Sequence, residues 1–434
     1  MTTTQVQSKV RLAIKWSRKG ILTIFVAYLI MLVGFREFNL SPVDLAVAPY
    51  QYSILDWELT HLPDKWTHKI AGLWSINSSA TQDEKLTQVK EFFDLGINLH
   101  RLEQQTIFPN RPSEGRSPQP EVYPNLIENI DNIKERREFL QSSVEETIER
   151  AIANTLKEEG LSILIGVFPP VDTVFTRSPH VLILSPRDRI ERQQDILLNP
   201  GLSVLDKEEI EDQIVFEKQD LSVYIEDTGG VAVYPSVVSD IFGLQNATDI
   251  SSHEWIHHWL LFKPLGQSFW NNTEMASLNE TVATLAGKEL GDKVFTSLTG
   301  KEVNQTMPSL TKPLDSDSFD FRAEMQQTRM QAEELLSAGN IEEAEEYMEE
   351  RRQLFVTNQY LIRKLNQAYF AFHGTYAASA ASISPIGDQV QELRDRSASL
   401  EDFLNTVSRF STYQEFLDHL EKLRELEGEK NGNK

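Results

Sequence analysis

Ser252-His253-Glu254-Trp255-Ile256-His257-His258-Trp259-Leu260-Leu261-Phe262 is the stretch on which the reading of this chain turns. Residues four apart on an α-helix lie one turn apart on the same face. His253 and His257 therefore present two imidazoles that can share one zinc ion, and Glu254 projects beside them within reach of a water at that ion. Trp255, Ile256, Trp259, Leu260, Leu261 and Phe262 supply an apolar wall, and Lys263-Pro264-Leu265-Gly266 ends the helix. Such a wall keeps water out and strengthens every charge interaction at the site. His258 is turned about 100° from His257 around the helix and reads as a packing or solvent-facing residue.

Composition narrows the chemistry. The chain has 434 residues, a net charge of -23, nine His and no Cys. Without Cys there are no disulfides, thiolate metal sites or cysteine nucleophiles, so a metal must be held by His, Asp or Glu. The acidic balance argues against nucleic acid as a partner, because phosphate binding needs a basic footprint. A chain that is 40% hydrophobic and 25% charged is of ordinary globular composition and long enough for two or three domains.

A zinc site built on two His needs a third protein ligand. Glu280, in Leu278-Asn279-Glu280-Thr281-Val282-Ala283, is the first choice, on a helix expected over Ser277–Leu290 with Gly291 closing it. Two alternatives stay open. Ser277-x-x-Glu280 also has the form of a helix-capping box, and Glu274 stands one loop earlier as a rival ligand.

Upstream, Val144, Ile148, Ile152 and Leu156 recur every four residues between Ser143 and Glu159, with Gly160 as a stop, which predicts a helix. Four strand-like runs follow: Leu161–Phe168, His180–Leu184, Ser222–Glu226 and Val231–Val238. The last two flank Asp227-Thr228-Gly229-Gly230, a hairpin signal, and Pro235 marks an edge strand or its end. Arg187–Lys218 reads as a charged helical excursion. After residue 249 the pattern is helical almost to the end, with an acidic face over Glu342–Arg352 and two short helices in Ser397–Leu423.

HEWIH followed by Asn279-Glu280-Thr281-Val282-Ala283 resembles the gluzincin branch of zinc metallopeptidases, of which thermolysin is the best-known member. The resemblance covers about residues 143–290. It implies that His253, His257 and Glu280 bind zinc and that Glu254 is the general base. The order of a backing helix, strands, an edge strand and the active-site helix is also similar to that family. The pattern departs at Thr284, where thermolysin has the Asp that orients its first His. A substitute acceptor is then needed, with Asp249 or Asp240 as the candidates. An oxyanion partner is sought in Asn366–Tyr376, where Asn366, Tyr369, His373 and Tyr376 recur at steps of three or four. Tyr376 and His373 are preferred over Tyr369, and ordinary core aromatics are the alternative. Gly229–Tyr234 sits where an edge strand would pair with an extended peptide substrate.

The N-terminus carries Lys9, Arg11, Lys15, Arg18 and Lys19 without an acid, followed by the uncharged run Gly20–Phe35. This reads as an uncleaved transmembrane anchor with its basic side in the cytoplasm. Ala46-Val47-Ala48 is the cleavage site of the rival signal-peptide reading. The expected architecture is α+β. It comprises a basic segment and anchor over 1–38, a mixed helix and loop region over 39–140, a zincin-like domain with a small mixed sheet over 141–300, and a helical region over 301–434. The expected function is zinc-dependent peptide hydrolysis outside the cytosol, with a peptide or protein as substrate and the membrane as a partner. The alternatives are a scaffold built on an inactive zincin fold and a zinc hydrolase of non-peptide amides or esters.

Overall fold

The computed structural model describes residues 41–61, 81–107, 122–164, 166–303, 319–377 and 379–432. The chain divides into two compact units, Met1–Ala48 and Pro49–Lys434. Within the first lies the short helix α1 (Pro42–Val47), capped by Ser41, whose hydroxyl accepts from the Asp44 amide while the Asp44 carboxylate accepts from the Ser41 amide.

In the second unit, residue Gln51 bridges to Leu198, and two long helices follow, α2 (Gln82–Ile107) and α3 (Val122–Glu158). Val144, Ile148, Ile152 and Leu156 form the expected stripe on α3, and all four are fully buried. At about 1.5–3 kcal/mol for each large aliphatic side chain removed from water, this stripe is a main anchor of the core. It packs with Phe92, Phe93, Phe175, Trp255, Ile256, Val282 and Ala286 in one cluster. Gly160, at φ +81°, ends the helix as expected.

Six strands follow: β1 (Thr173–Thr176), β2 (His180–Pro186), β3 (Gln194–Leu198), β4 (Leu221–Asp227), β5 (Gly230–Val231) and β6 (Ser236–Ser239). Helix α4 (Val204–Glu217) lies between β3 and β4. The strands form two separate three-stranded sheets. In one, β2 is central and antiparallel to β3 and β4, with Leu182 between Ile196 and Ile225. In the other, β6 is central, parallel to β1 and antiparallel to β5.

The remaining helices are α5 (Gly243–Leu260), α6 (Pro264–Gln267), α7 (Thr273–Thr299), α8 (Phe321–Ser337), α9 (Ile341–Thr357), α10 (Gln367–His373), α11 (Ile386–Arg396), α12 (Leu400–Val407) and α13 (Tyr413–Gly432). Helix dominates the described residues, and this corrects the α+β expectation: the strands are short and split between two small sheets where one mixed sheet was expected. The hairpin signal at Asp227–Gly230 is a crossover from one sheet to the other. Asp227 stays with β4, held 2.5 Å from Lys207 Nζ and from His180 Nδ1, while Gly230 pairs with Val238. The described residues of 161–168 form no strand. Ile163 and Gly166 exchange backbone hydrogen bonds across a tight turn, and Pro169-Pro170 offer no donors to a ladder. The 187–218 excursion contains β3 before its helix. Pro235 directly precedes β6, so the missing N–H falls outside the ladder.

The membrane reading is also corrected. Gly20–Phe35 lies outside the described residues, and among those described no helix is long and apolar enough to cross a membrane. The longest, α3, carries charged residues along its whole length. The single-pass topology and the extracytoplasmic body inferred from it therefore have no support in the structure.

The two edges of the β1–β6–β5 sheet differ. On β1, the outward amides of Thr173 and Phe175 donate to Glu149 at 3.0 Å and Glu145 at 3.1 Å, two buried carboxylates one turn apart on α3. On β5, Ser239 N donates to Gly229 O, so the alternation of an antiparallel ladder turns the Gly230 N–H and C=O away from β6.

Helices α5 and α7 make the most extensive helix–helix contact among the described elements. A Cβ on Gly287 would stand 2.7 Å from His253 Cα, and one on Gly291 would stand 2.5 Å from Asp249 Cα. Gly291 thus lies inside α7 and does not close it. Gly287→Ala must push two backbones apart and should cost about 1–3 kcal/mol, measured as a lower denaturant midpoint. An unchanged midpoint would show that the crossing tolerates a side chain there.

Candidate metal centre

The α5–α7 crossing brings the two halves of the site together. On α5, His253 and His257 share a face one turn apart; on α7, Glu280 faces them. His257 Nε2 lies 2.9 Å from His253 Nε2, and Glu280 Oε2 lies 3.5 Å from His257 Nε2 and 3.7 Å from His253 Nε2. A tetrahedral ion with ligands at 2.0–2.1 Å sets ligand atoms about 3.3 Å apart, so the three atoms stand where one cation would hold them. His253, His257 and Glu280 form a group that can bind a metal ion.

The alternatives for Glu280 fall to local geometry. Asn272 caps α7, its side chain accepting from the Met275 amide at 2.8 Å, so Ser277 and Glu280 lie well inside the helix and form no capping box. Glu274 occupies the exposed first turn and is absent from the group. His258 also stands apart: its ring lies against Tyr234 at 5.6 Å, and the backbone of Ala232 and Val233 faces it.

Neither acid proposed to orient the first His does so. Asp240 pairs with Arg137, and Asp249 lies 3.8 Å from Lys288. The backbone of Ala283, one turn beyond Glu280 on α7, faces His253 and favours its charged form. The Asn279 side chain lies near His257 and favours its charged form, while its amide nitrogen donates to Leu265 O at 3.5 Å. Both residues lie on the helix that carries Glu280, so they are held in place together with that carboxylate.

Charge is distributed unevenly. Burial, reinforced by the neighbouring His257 charge, pulls His253 down to about 4, so its ring is neutral near pH 7. Burial opposes charge on His257 as well, but Glu280 outweighs it and holds the ring up to about 9. Glu280 is buried yet stays at about 2, because His257, His253 and Arg192 favour its ionised form. Glu254 is pushed up to about 8, first by burial and then by the like charge of Glu280. A cation can take up the charge that His257 now balances, and its field would draw the proton off Glu254.

Glu254 also borders the open sheet edge. A Cβ on Gly230 of β5 would lie 2.6 Å from Glu254 Oε1 and 2.7 Å from Ile250 Cγ2. Only glycine leaves room for that carboxyl group.

The candidate stripe on α10 is divided by the structure. Asn366 is the helix N-cap and donates to Val223 O at 2.9 Å. His373 Nε2 lies 2.8 Å from Glu226 Oε2, which also accepts from Tyr224 Oη at 2.5 Å, and Tyr369 packs on His373 at 4.3 Å. His373 and Tyr369 thus belong to a network on β4. Tyr376 lies past the end of α10 and feels both Glu280 and Glu254; burial is the larger cause that raises its hydroxyl well above the ordinary tyrosine value. Arg192 and Asp195, which pair with each other, also act on Tyr376. Arg192 lies just before β3 and Asp195 within it, and no motif in the sequence marks them.

No family, curated protein or solved structure matches this chain.

Metal loading should displace at least one proton per ion at pH 7, since His257 must become neutral to ligate. Affinity should therefore rise with pH towards about 9, by close to tenfold per unit for one proton, and fall as pH drops. Calorimetry in buffers of different ionisation enthalpy measures this; binding without proton release would contradict the His257 assignment. His253→Ala and His257→Ala should abolish stoichiometric binding, whereas His258→Ala should retain it.

Proposed function

We propose that the protein is a zinc-dependent peptidase. The observation that carries this reading is Glu254: a buried carboxyl group next in sequence to one metal-binding His, outside the ligand set, and flanked by the open edge of a sheet. A purely structural site has no use for such a group, whereas hydrolysis requires a base that is not itself a ligand. The donor set of two imidazoles and one carboxylate suits zinc, with room for a fourth ligand. Zinc, when bound, would polarise a carbonyl and lower the pKa of water towards neutrality.

The chain's own residues then divide the work. Glu254, left ionised by the field of the cation, accepts a proton from the attacking water. As the C–N bond breaks, Glu254 delivers the proton to the departing amine, so the products are a carboxylic acid and an amine. Tyr376 is the group available to donate a hydrogen bond to the carbonyl oxygen as negative charge grows there. Gly230 supports the carboxyl group by leaving it space. Its outward N–H and C=O offer backbone pairing to an extended peptide, which aligns the substrate beside Glu254. His373 has no part in this scheme.

Two variants test the reading with a mixed peptide library, with and without chelator. Glu254→Gln should keep zinc stoichiometry and lose about two to four powers of ten in rate, the scale of a positioned acid–base group. Glu280→Gln should bind zinc more weakly and regain part of its activity in excess zinc. Equal rates for Glu254→Gln and the parent would exclude hydrolysis through this residue. A zinc-loaded parent that leaves every peptide intact would favour a scaffold, or a hydrolase of other amides or esters. Gly230→Ala should lower the rate without changing zinc content; an unaltered rate would remove the steric link to Glu254.

A further inference from the structure

The parallel strands β1 and β6 end side by side, with Thr176 opposite Ser239. In open sheets, ligands lie in the crevice outside the carboxyl ends of such strands. A cavity of about 330 Å³ opens there, within the size range of small-molecule sites. Helix α2 forms one wall with His100 and Glu103, and α3 a second with Lys134 and Arg137. Arg177 and Asp240, which follow the two strands, complete the lining. Packing fixes this frame. A Cβ on Gly96 would stand 2.8 Å from Asp240 O, so α2 lies directly on the backbone after β6. Arg137 pairs with Asp240 and holds its Cζ 4.4 Å from the centre of the Phe92 ring.

The charges of the lining do not cancel. Arg137 and Asp240 answer each other, and both are mostly buried. Glu103 is shared: Lys134 reaches one of its oxygens at 3.1 Å, and Arg177 pairs with the other. Two cations thus face one carboxylate, and the cavity carries one surplus positive charge in a chain of net charge -23. The Lys134 side chain is 53% exposed and that of Arg177 41%, so both are open to a ligand, and each has more N–H donors than Glu103 can use. His100 adds hydrogen-bonding capacity without charge. Burial first, and then the Arg177 charge, hold its ring below the ordinary histidine value, so it is neutral near pH 7.

The size of the surplus selects the ligand. A phosphate monoester brings roughly two negative charges and would leave one unanswered beside Glu103 and Asp240. An uncharged molecule would leave the surplus unused. We propose that the cavity binds a small organic monocarboxylate, its charge answered by Lys134 and Arg177, with His100 donating a hydrogen bond to it. Leu99 and Ile241 border the same cavity and favour an apolar body on that carboxylate. Helix α5 starts at Gly243, and about 15 Å of helix separates that start from His253. The site is therefore distinct from the metal centre, and it stands whether or not the chain is a peptidase.

Benzoate serves as the probe in the full chain, with benzamide as its uncharged counterpart and phenyl phosphate as the dianionic one. Calorimetry at low ionic strength should show one benzoate site of equal affinity with and without chelator. Benzamide and phenyl phosphate should bind more weakly. Arg177→Gln should weaken benzoate about tenfold or more, the scale of a lost hydrogen bond to a charged group. Glu103→Gln should act in the opposite direction and tighten it, because Lys134 and Arg177 are released to the ligand. Arg150→Gln removes the same charge from an exposed position further along α3 and should change nothing. The proposal is refuted if no benzoate site is found, or if benzamide or phenyl phosphate binds as tightly as benzoate. Unchanged affinity in Arg177→Gln, a loss in Glu103→Gln or an equal loss in Arg150→Gln also refutes it. A site that vanishes with chelator would put benzoate on the metal centre and overturn the proposal as well.

Discussion

Everything at the centre depends on how closely two helices approach. His253 lies on α5 and Glu280 on α7, and no loop or sheet intervenes to adjust the distance between them. Gly287 and Gly291, one turn apart, let the α7 backbone reach the backbone of α5 at His253 and Asp249. Interiors pack at crystal-like density, so a methyl group at either position is felt directly by the ligands. The glycines carry no chemistry, yet they set the span across which two imidazoles and a carboxylate share a single ion.

The same crossing sets the charge around the rings. With α7 in backbone contact with α5, the neutral groups that face the two rings are the Ala283 backbone and the Asn279 side chain, both of which favour the charged imidazoles. An acid in that role would add negative charge beside Glu280 and Glu254. The arrangement keeps the fixed carboxylates of the centre few, and Arg192 offsets part of their field.

What the sequence revealed, and what it hid, follows from the range of each interaction. The His253–His257 spacing and the four-residue stripe from Val144 to Leu156 are helical periodicities, and they need no knowledge of the rest of the chain. Glu280 was recognisable from its surroundings, but only the observed cap at Asn272 removes its competing role. The backbone of Ala283 has no side-chain signature, so acidic side chains at 240 and 249 drew attention in its place. Arg192 acts on Glu280 and Tyr376 from a distant part of the chain, through the pairing of β3 with β2 and the packing of α10 on that sheet, a tertiary consequence with no local mark. His373 and Tyr376 looked equivalent on an ideal helix. Because α10 stops at His373, Tyr376 is freed from the stripe while His373 turns to Glu226.

The sealed edge of β1 has a meaning beyond the site. Glu145 and Glu149 occupy the amides through which β1 would otherwise recruit another strand. Because both carboxylates ride on α3, the seal is only as durable as the docking of that helix. A molecule in which α3 has lifted away bares two raw strand edges, one at each side of the sheet. Self-association of partly opened chains would then begin at β1, and the Val144–Leu156 stripe serves as its latch.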